Sequence, residues 1–233
     1  MKNLKRSVAA LSVVCLLSLL SSCLKSNPSL VNPPIALVSF FQASPDEPSL
    51  DVYFNNNRVN WNPVSYGSGL DYFNAFAGAR TVNFYLQNTM TKVYSDTLTL
   101  KPSGVYSLFL VNTPANPGIV VLKDTINQPA ANTASIRFVD LSPDAPTVDL
   151  ALNDSVKVSN KSFKGASSFI PVAGNKTYSF QVLKKGTTTV LASLSNITLT
   201  SGYVYTIMLT GLSAGSTSVD KLSVYYMTNA QFF

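Results

Sequence analysis

One segment of the chain has the spacing of a hydrolase nucleophile. Residues 211–215 (GLSAG) fit the Gly-x-Ser-x-Gly pattern, in which a serine on a sharp strand-to-helix turn attacks a carbonyl carbon. Such a serine needs a histidine base, and the sequence contains no histidine. Histidine is also the commonest metal ligand. We therefore interpret residues 211–215 as a loop of small residues between two strands, and we expect no enzyme activity, no catalytic residue, no cofactor and no metal.

Acidic residues recur within a longer repeated segment. Residues 44–52 (SPDEPSLDV) return 98 positions later as residues 142–150 (SPDAPTVDL). Carboxylate oxygens suit a hard cation such as calcium, but neither copy has the ligand spacing of a calcium loop. Turns are the simpler interpretation, because Pro fits a turn and Ser and Asp side chains bond to nearby backbone amides. We predict structural turns at two matched sets of residues: Ser44, Pro45 and Asp46, and Ser142, Pro143 and Asp144.

The repeat extends beyond these turns and predicts two homologous domains. Residues 73–78 (FNAFAG) fall near residues 169–174 (FIPVAG) once small gaps shift the offset, and each copy later reaches a Ser-Gly pair before a Tyr-containing apolar run. A copy of roughly one hundred residues is large enough to bury its own core. We predict domains at residues 35–127 and 133–233, joined by a short segment rich in Pro, Ala and Asn.

Apolar and polar residues alternate within each copy, which is the pattern of half-buried β-strands. Val82, Phe84 and Leu86, for example, share one face of a predicted strand. We predict an all-β chain with two tandem immunoglobulin-like or transthyretin-like β-sandwiches. Further strands are predicted at residues 36–41, 50–54, 93–100, 105–111, 119–122, 135–139, 148–152, 190–199, 204–209 and 219–227.

A known family shares the repeated motif. The strand followed by Ser-Pro-Asp-x-Pro-x-aliphatic-Asp-aliphatic resembles the domain-of-unknown-function family 4397, which is found in bacterial secreted proteins and lipoproteins. The resemblance covers nearly all of the chain after residue 34, twice, although Glu47 replaces the more usual alanine in the first copy. It implies an extracytoplasmic β domain, and it supplies no activity, substrate or cofactor.

The first residues have the features of a bacterial lipoprotein signal. Three basic residues precede an apolar run at residues 8–20, which is too short to span a bilayer comfortably. The run closes on residues 20–23 (LSSC), which resemble a lipobox. We predict a signal peptide at residues 1–22, lipid on Cys23 that anchors the protein to a membrane, and a Pro/Ser-rich tether at residues 23–34 that holds the folded part clear of the membrane. The expected location is the cell envelope, at the outer membrane, on its periplasmic or its outer side.

The charge of the chain excludes a nucleic-acid-binding surface. The formal charge of +6 falls to +3 once the three basic residues of the signal are removed. Charged residues make up 12% of the chain, about half of the usual share of roughly 25%. Because no basic stripe follows the signal, we expect no nucleic-acid partner.

Two functions remain open. One is a non-catalytic binding module for a glycan or an envelope protein, and the other is a structural spacer or envelope-assembly component with no specific ligand. Tandem sandwiches commonly present loops for recognition, which favours the binding module. Trp61 is the single tryptophan and lies in the polar segment Asn60-Trp61-Asn62-Pro63. We predict Trp61 as a ligand contact, with packing at the domain edge as the alternative.

Overall fold

The computed structural model describes residues 32–233, and every regular element within them is a β-strand. The predicted signal peptide, Cys23 and the tether up to residue 31 lie outside the described residues. No helix among residues 32–233 is long and apolar enough to cross a membrane. Residues 34–233 form one compact unit.

The first repeat contains eight strands. In chain order they are β1 (Ile35–Gln42), β2 (Leu50–Phe54), β3 (Asn57–Arg58), β4 (Gly69–Phe76), β5 (Gly78–Leu86), β6 (Lys92–Leu100), β7 (Val105–Val111) and β8 (Gly118–Lys123).

The second repeat also contains eight strands. They are β9 (Thr133–Asp140), β10 (Val148–Leu152), β11 (Ser155–Lys161), β12 (Ile170–Ala173), β13 (Lys176–Lys184), β14 (Val190–Leu199), β15 (Tyr203–Thr210) and β16 (Ser223–Gln231). The last strand begins later than the sequence predicted. Asp220 Oδ1 accepts hydrogen bonds from the backbone N–H and the hydroxyl of Thr217, so the residues before Ser223 form a turn instead.

Both repeats have the same topology. Sheet A has the order β4-β1-β7-β8 and sheet B the order β3-β2-β5-β6, while the second repeat forms sheet C (β12-β9-β15-β16) and sheet D (β11-β10-β13-β14). Strand β1 runs parallel to β7, and β9 runs parallel to β15. The predicted all-β fold with two sandwiches is therefore confirmed. In the immunoglobulin arrangement the first two strands share a sheet, whereas β1 and β2 lie in different sheets here, which leaves the transthyretin-like alternative.

Each sandwich has an apolar core between its two sheets. Alternation along the strands turns every second side chain inward. In the first repeat the rings of Phe40 and Phe84 lie 5.1 Å apart, and in the second Phe138 and Phe180 are fully buried. Burying each such side chain contributes roughly 1.5–3 kcal/mol to folding.

Sheets A and C also pack against each other, so both are buried on two faces. Phe41 and Phe109 of sheet A form one apolar cluster with Val139, Leu141 and Met208, which lie on β9, just after it and on β15. The layers therefore follow the order B, A, C, D, and the two repeats share a buried interface.

A polar cluster continues this interface. Arg137 on β9 donates a hydrogen bond to Asp124 Oδ1 at 2.5 Å, another to Ser107 Oγ at 3.0 Å and a third to Thr206 Oγ1 at 2.8 Å. The Tyr72 hydroxyl also donates to Asp124. Burial, and then the negative charge of Asp124, raise the pKa of Tyr72 to about 12. The cluster thus pairs its buried charges and supplies hydrogen bonds to them, as buried ions require.

Candidate functional site

Trp61 lies on the surface of the first repeat with 98% of its area exposed. It belongs to a segment that follows β3 and bulges away from β2 before Val64 returns to the core. A fully exposed indole is rare among soluble proteins, because burying a large aromatic side chain is favourable. Packing at the domain edge does not account for this residue.

Asn60 fixes the segment that carries Trp61. Its Oδ1 accepts a hydrogen bond from the Val52 N–H at 2.7 Å, and its Nδ2 donates to the carbonyl oxygens of Leu50 and Asn62. Asn60 is buried, so these bonds extend the pairing of β3 with β2 past the end of the strand. Trp61 is therefore held in place by its neighbour rather than by contacts of its own ring.

An ion pair lies beside the indole. Arg58 Nη2 contacts Asp51 Oδ1 at 2.6 Å, and the Arg58 side chain is about one third exposed. Asp51 also accepts a hydrogen bond from the Asn88 N–H at 2.9 Å, so the carboxylate is held on two sides. Arg58, Val59, Asn60 and Trp61 line a groove of about 340 Å³. The groove thus has an aromatic wall and hydrogen-bond donors.

Two tyrosines extend this surface across sheet B. Tyr53 pairs with Arg58 in the ladder between β2 and β3, so the two side chains share the outer face of the sheet. The Tyr53 and Tyr85 rings contact each other edge to face at 5.3 Å between centroids. Lys92 Nζ lies 5.7 Å from the Tyr85 ring. We call these residues the aromatic face: Tyr53, Arg58, Trp61, Tyr85 and Lys92.

The second repeat lacks the aromatic face. Its matched acidic residue, Asp149, pairs with Leu183 where Asp51 pairs with Tyr85. The position that corresponds to Tyr53 is Ala151, and the position that corresponds to Lys92 is Val190. Strand β11 also continues for seven residues where the first repeat has the Trp61 segment. The surface therefore belongs to the first repeat alone.

The first Ser-Pro-Asp turn contacts the loop after β7. Ser44 is buried, and its hydroxyl donates to the Asn112 carbonyl at 2.8 Å. Pro45 is buried too, whereas Asp46 is exposed and has a φ of 61°. Aspartate is among the residues that tolerate this left-handed conformation.

The second Ser-Pro-Asp turn binds the segment that has the Gly-x-Ser-x-Gly spacing. The Asp144 carboxylate accepts hydrogen bonds from the backbone N–H groups of Ser213 at 2.7 Å and Ala214 at 3.2 Å. Ser142 is buried and Pro143 is half-buried. The segment is a loop between β15 and β16, and it offers its amides to Asp144. Among residues 32–233, no group of three or more His, Cys, Asp or Glu side chains converges as a metal site would require.

A buried polar side chain lies beneath each turn. Gln42 Oε1 accepts from the Ser44 N–H at 2.7 Å, and at the equivalent position Asp140 Oδ1 accepts from the Ser142 N–H at 3.0 Å. Asp140 Oδ2 has no hydrogen-bond partner among the described residues. Burial raises the pKa of Asp140 to about 7, and the Ser142 amide lowers it by a smaller amount. Within residues 32–233, no second titratable side chain forms a hydrogen bond with Asp140.

Comparison with known proteins gives a family for part of the chain. Residues 36–151 match the family described as Domain of unknown function (DUF4397). The DUF4397 match runs from β1 into β10 and includes the Trp61 segment. Comparison with curated proteins gives no match.

A solved structure is also similar at a low level. It shows alpha-glucan recognition by family 41 carbohydrate-binding modules from streptococcal virulence factors, with 9% sequence identity and a TM-score of 0.24. The similarity covers 82% of this chain and 96% of that chain. This similarity is too low to indicate a ligand for residues 36–151 or for the rest of the chain.

Proposed function

We propose that this protein is a lipid-anchored component of the bacterial cell envelope that binds a glycan on the aromatic face, without catalysis. The observation that carries the proposal is the full exposure of Trp61 on a segment fixed by Asn60. An exposed indole costs solvation free energy in the unbound protein, and a ligand that covers it recovers that free energy.

The chemistry of the aromatic face favours a sugar. Aromatic rings stack on the C–H faces of sugar rings, and amide and guanidinium groups donate hydrogen bonds to hydroxyl groups. Trp61 and Tyr85 offer rings, while Arg58 and Lys92 offer donors close to them. The charge of Arg58 is paired with Asp51, so the face does not need an anionic ligand.

The anchor is proposed from residues 1–23. A signal peptide at residues 1–22 and lipid on Cys23 would keep the protein at a membrane, at the outer membrane by preference. Metabolic labelling with a fatty acid should tag the full chain and should not tag the Cys23→Ala variant. A labelled variant would contradict the anchor and would leave the glycan proposal intact.

A glycan array with soluble residues 24–233 tests the binding proposal. We expect a bound glycan whose affinity falls at least about tenfold in Trp61→Ala, equivalent to about 1.4 kcal/mol. The unfolding free energy of this variant should stay within about 0.5 kcal/mol of the wild type, because the side chain is exposed. Phe233→Ala is the matched control, since Phe233 is also fully exposed and lies at the end of the chain.

Two other results would replace this proposal. Capture of an envelope protein that Trp61→Ala weakens, with no glycan bound, would assign the same face to a protein partner. If neither a glycan nor a protein depends on Trp61, the chain is better described as a structural spacer. A hydrolytic product in these assays would overturn the non-catalytic function.

A further inference from the structure

Three apolar side chains are exposed together where the folded unit begins. Ile35 is 42% exposed, Leu37 is 37% exposed and Phe76 is 52% exposed. Ile35 and Phe76 are partners in the ladder between β1 and β4, and Leu37 lies two residues along β1, so all three share the outer face of sheet A. The same face is covered by sheet C farther along β1, at Phe41. We call Ile35, Leu37 and Phe76 the apolar patch.

The apolar patch has no counterpart in the second repeat. Thr133 and Ala173 are ladder partners where the first repeat has Ile35 and Phe76. Ser135 occupies the position of Leu37. Two repeats with one topology therefore differ in polarity at this end, and only the repeat next to the predicted tether is apolar there.

Basic side chains border the apolar patch. The guanidinium of Arg80 lies 5.9 Å from the centre of the Phe76 ring, and its Nε donates to the Phe76 carbonyl at 2.9 Å. Arg80 makes no ion pair within residues 32–233. Lys101 begins the turn whose Ser103 N–H donates to the Ile35 carbonyl at 2.7 Å. Apolar residues with a basic border are typical of surfaces that contact anionic lipid headgroups.

We infer that the apolar patch docks on the surface of the bilayer that holds the lipid of Cys23. The inference rests on the anchor in the proposed function. The chain between Cys23 and Ile35 spans at most about 3.6 Å per residue, so the patch is within reach of the membrane. Among the exposed apolar residues of the described chain, Ile35 is the one that the sequence brings closest to the anchor.

This orientation keeps the aromatic face away from the lipid. Arg80, beside the apolar patch, and Tyr85, on the aromatic face, both lie on β5 and are five residues apart. At about 3.3 Å per residue, Arg80 and Tyr85 are separated by about 17 Å along the strand. The inference differs from the tether predicted from the sequence, because the patch would rest on the bilayer while β5 raises the aromatic face above it.

Bromine quenching of tryptophan fluorescence tests the docking. Residues 23–233 contain one cysteine and one tryptophan, so Cys23 can be coupled to a maleimide phospholipid in vesicles of phosphatidylcholine and phosphatidylglycerol. In a Phe76→Trp, Trp61→Phe double variant, we expect brominated acyl chains to reduce emission about twofold, because docked side chains enter the boundary of the acyl region. The wild type, with its indole at position 61, should show no quenching.

Additional variants separate docking from other outcomes. Adding Ile35→Ser to the double variant should abolish the quenching, whereas adding Val121→Ser, at an exposed valine on β8, should not. Absence of quenching in the double variant would overturn the inference. An indole that emits as a buried group both in solution and on vesicles would also overturn it, because residues 24–31 would then cover the patch. Chemical coupling makes the result independent of lipidation in the cell, and the glycan array tests the aromatic face separately.

Discussion

Arg137 and Asp124 form an ion pair across the interface between the two repeats, with 2.5 Å between Nη1 and Oδ1 and side chains 4% and 0% exposed. Asp124 follows the last strand of the first repeat, and Arg137 lies on the first strand of the second. The pair therefore joins two sheets, A and C, that belong to different sandwiches. Because the two charges are in close contact, displacing one sheet relative to the other would separate them.

Replacing Arg137 should destabilise the folded unit of residues 34–233. Arg137→Met leaves the Asp124 carboxylate buried without a charged partner, and loss of one member of such a pair costs about 3–5 kcal/mol. Urea unfolding of residues 34–233 measures the change. The control is Arg80→Met, which removes an arginine that makes no ion pair within residues 32–233 and should cost about 1 kcal/mol or less. Equal losses in the two variants would show that the buried pair has no special role.

Asp140 should make stability depend on pH. An aspartate in the unfolded chain ionises near pH 4, whereas burial raises the pKa of Asp140 to about 7 in the fold. Between these values the folded protein holds a proton that the unfolded chain has released, so the free energy of unfolding falls as the pH rises from about 4 to about 7. Below and above this window the group contributes no slope.

Asp140→Asn should remove that slope. The first repeat has an amide, Gln42, at the equivalent position, so an amide can accept the same backbone hydrogen bond. Over the window, the difference in unfolding free energy between wild type and variant should change by as much as about 4 kcal/mol in favour of the variant. Urea unfolding between pH 4 and pH 8 measures it, and parallel pH profiles would contradict the assignment.

Replacing Asp144 should destabilise the protein more than replacing Asp46, although the two residues occupy matched positions. Asp144→Ala removes the acceptor of two backbone amides in the loop after β15, which should cost about 1–2 kcal/mol of unfolding free energy. Asp46→Asn is the control, since Asp46 is exposed and asparagine tolerates its positive φ. That variant should stay within about 0.5 kcal/mol of the wild type by thermal unfolding. A larger loss at Asp46 than at Asp144 would refute the comparison.

The second repeat alone should fold with reduced stability. Residues 133–233 have their own apolar core, so we expect a β-type circular dichroism spectrum and cooperative unfolding. Without the first repeat, however, Val139, Leu141 and Met208 lose their cover. We therefore expect a lower urea midpoint than for residues 34–233, together with association that sedimentation detects. An unfolded fragment would show that the two repeats depend on each other for folding.

All the strands that the sequence missed lie at sheet edges. The central strands β2, β7 and β10 have the predicted bounds, and so does the edge strand β14, because their inward positions are consistently apolar. Strands β3, β4, β11 and β12 were not predicted. All four lie at sheet edges, where a strand has one neighbour and its side chains are largely exposed, so the alternation is weak.

Contacts between distant residues explain what else the sequence missed. The apolar run of β7, Val105–Val111, is nearly continuous, which is the pattern of a strand buried on both faces. The pattern does not say which element covers the second face. Arg137 and Asp124 gave no signal, because their pairing depends on how sheets A and C pack. On the candidate site, the sequence singled out Trp61 but neither Tyr53 nor Tyr85. Alternation with the buried Val52 and Phe84 places these two tyrosines outside.

Residues 124–132 are the single covalent connection between the two sandwiches. A link this short keeps each half at an effective concentration on the order of millimolar relative to the other. Protease cleavage at the exposed Asn127 or Gln128 would remove that advantage without breaking the ion pair or the apolar cluster. The cut protein would therefore behave as a heterodimer of its own halves, intact when concentrated and dissociating on dilution. Under the proposed anchor, only the half that carries Cys23 would stay with the membrane.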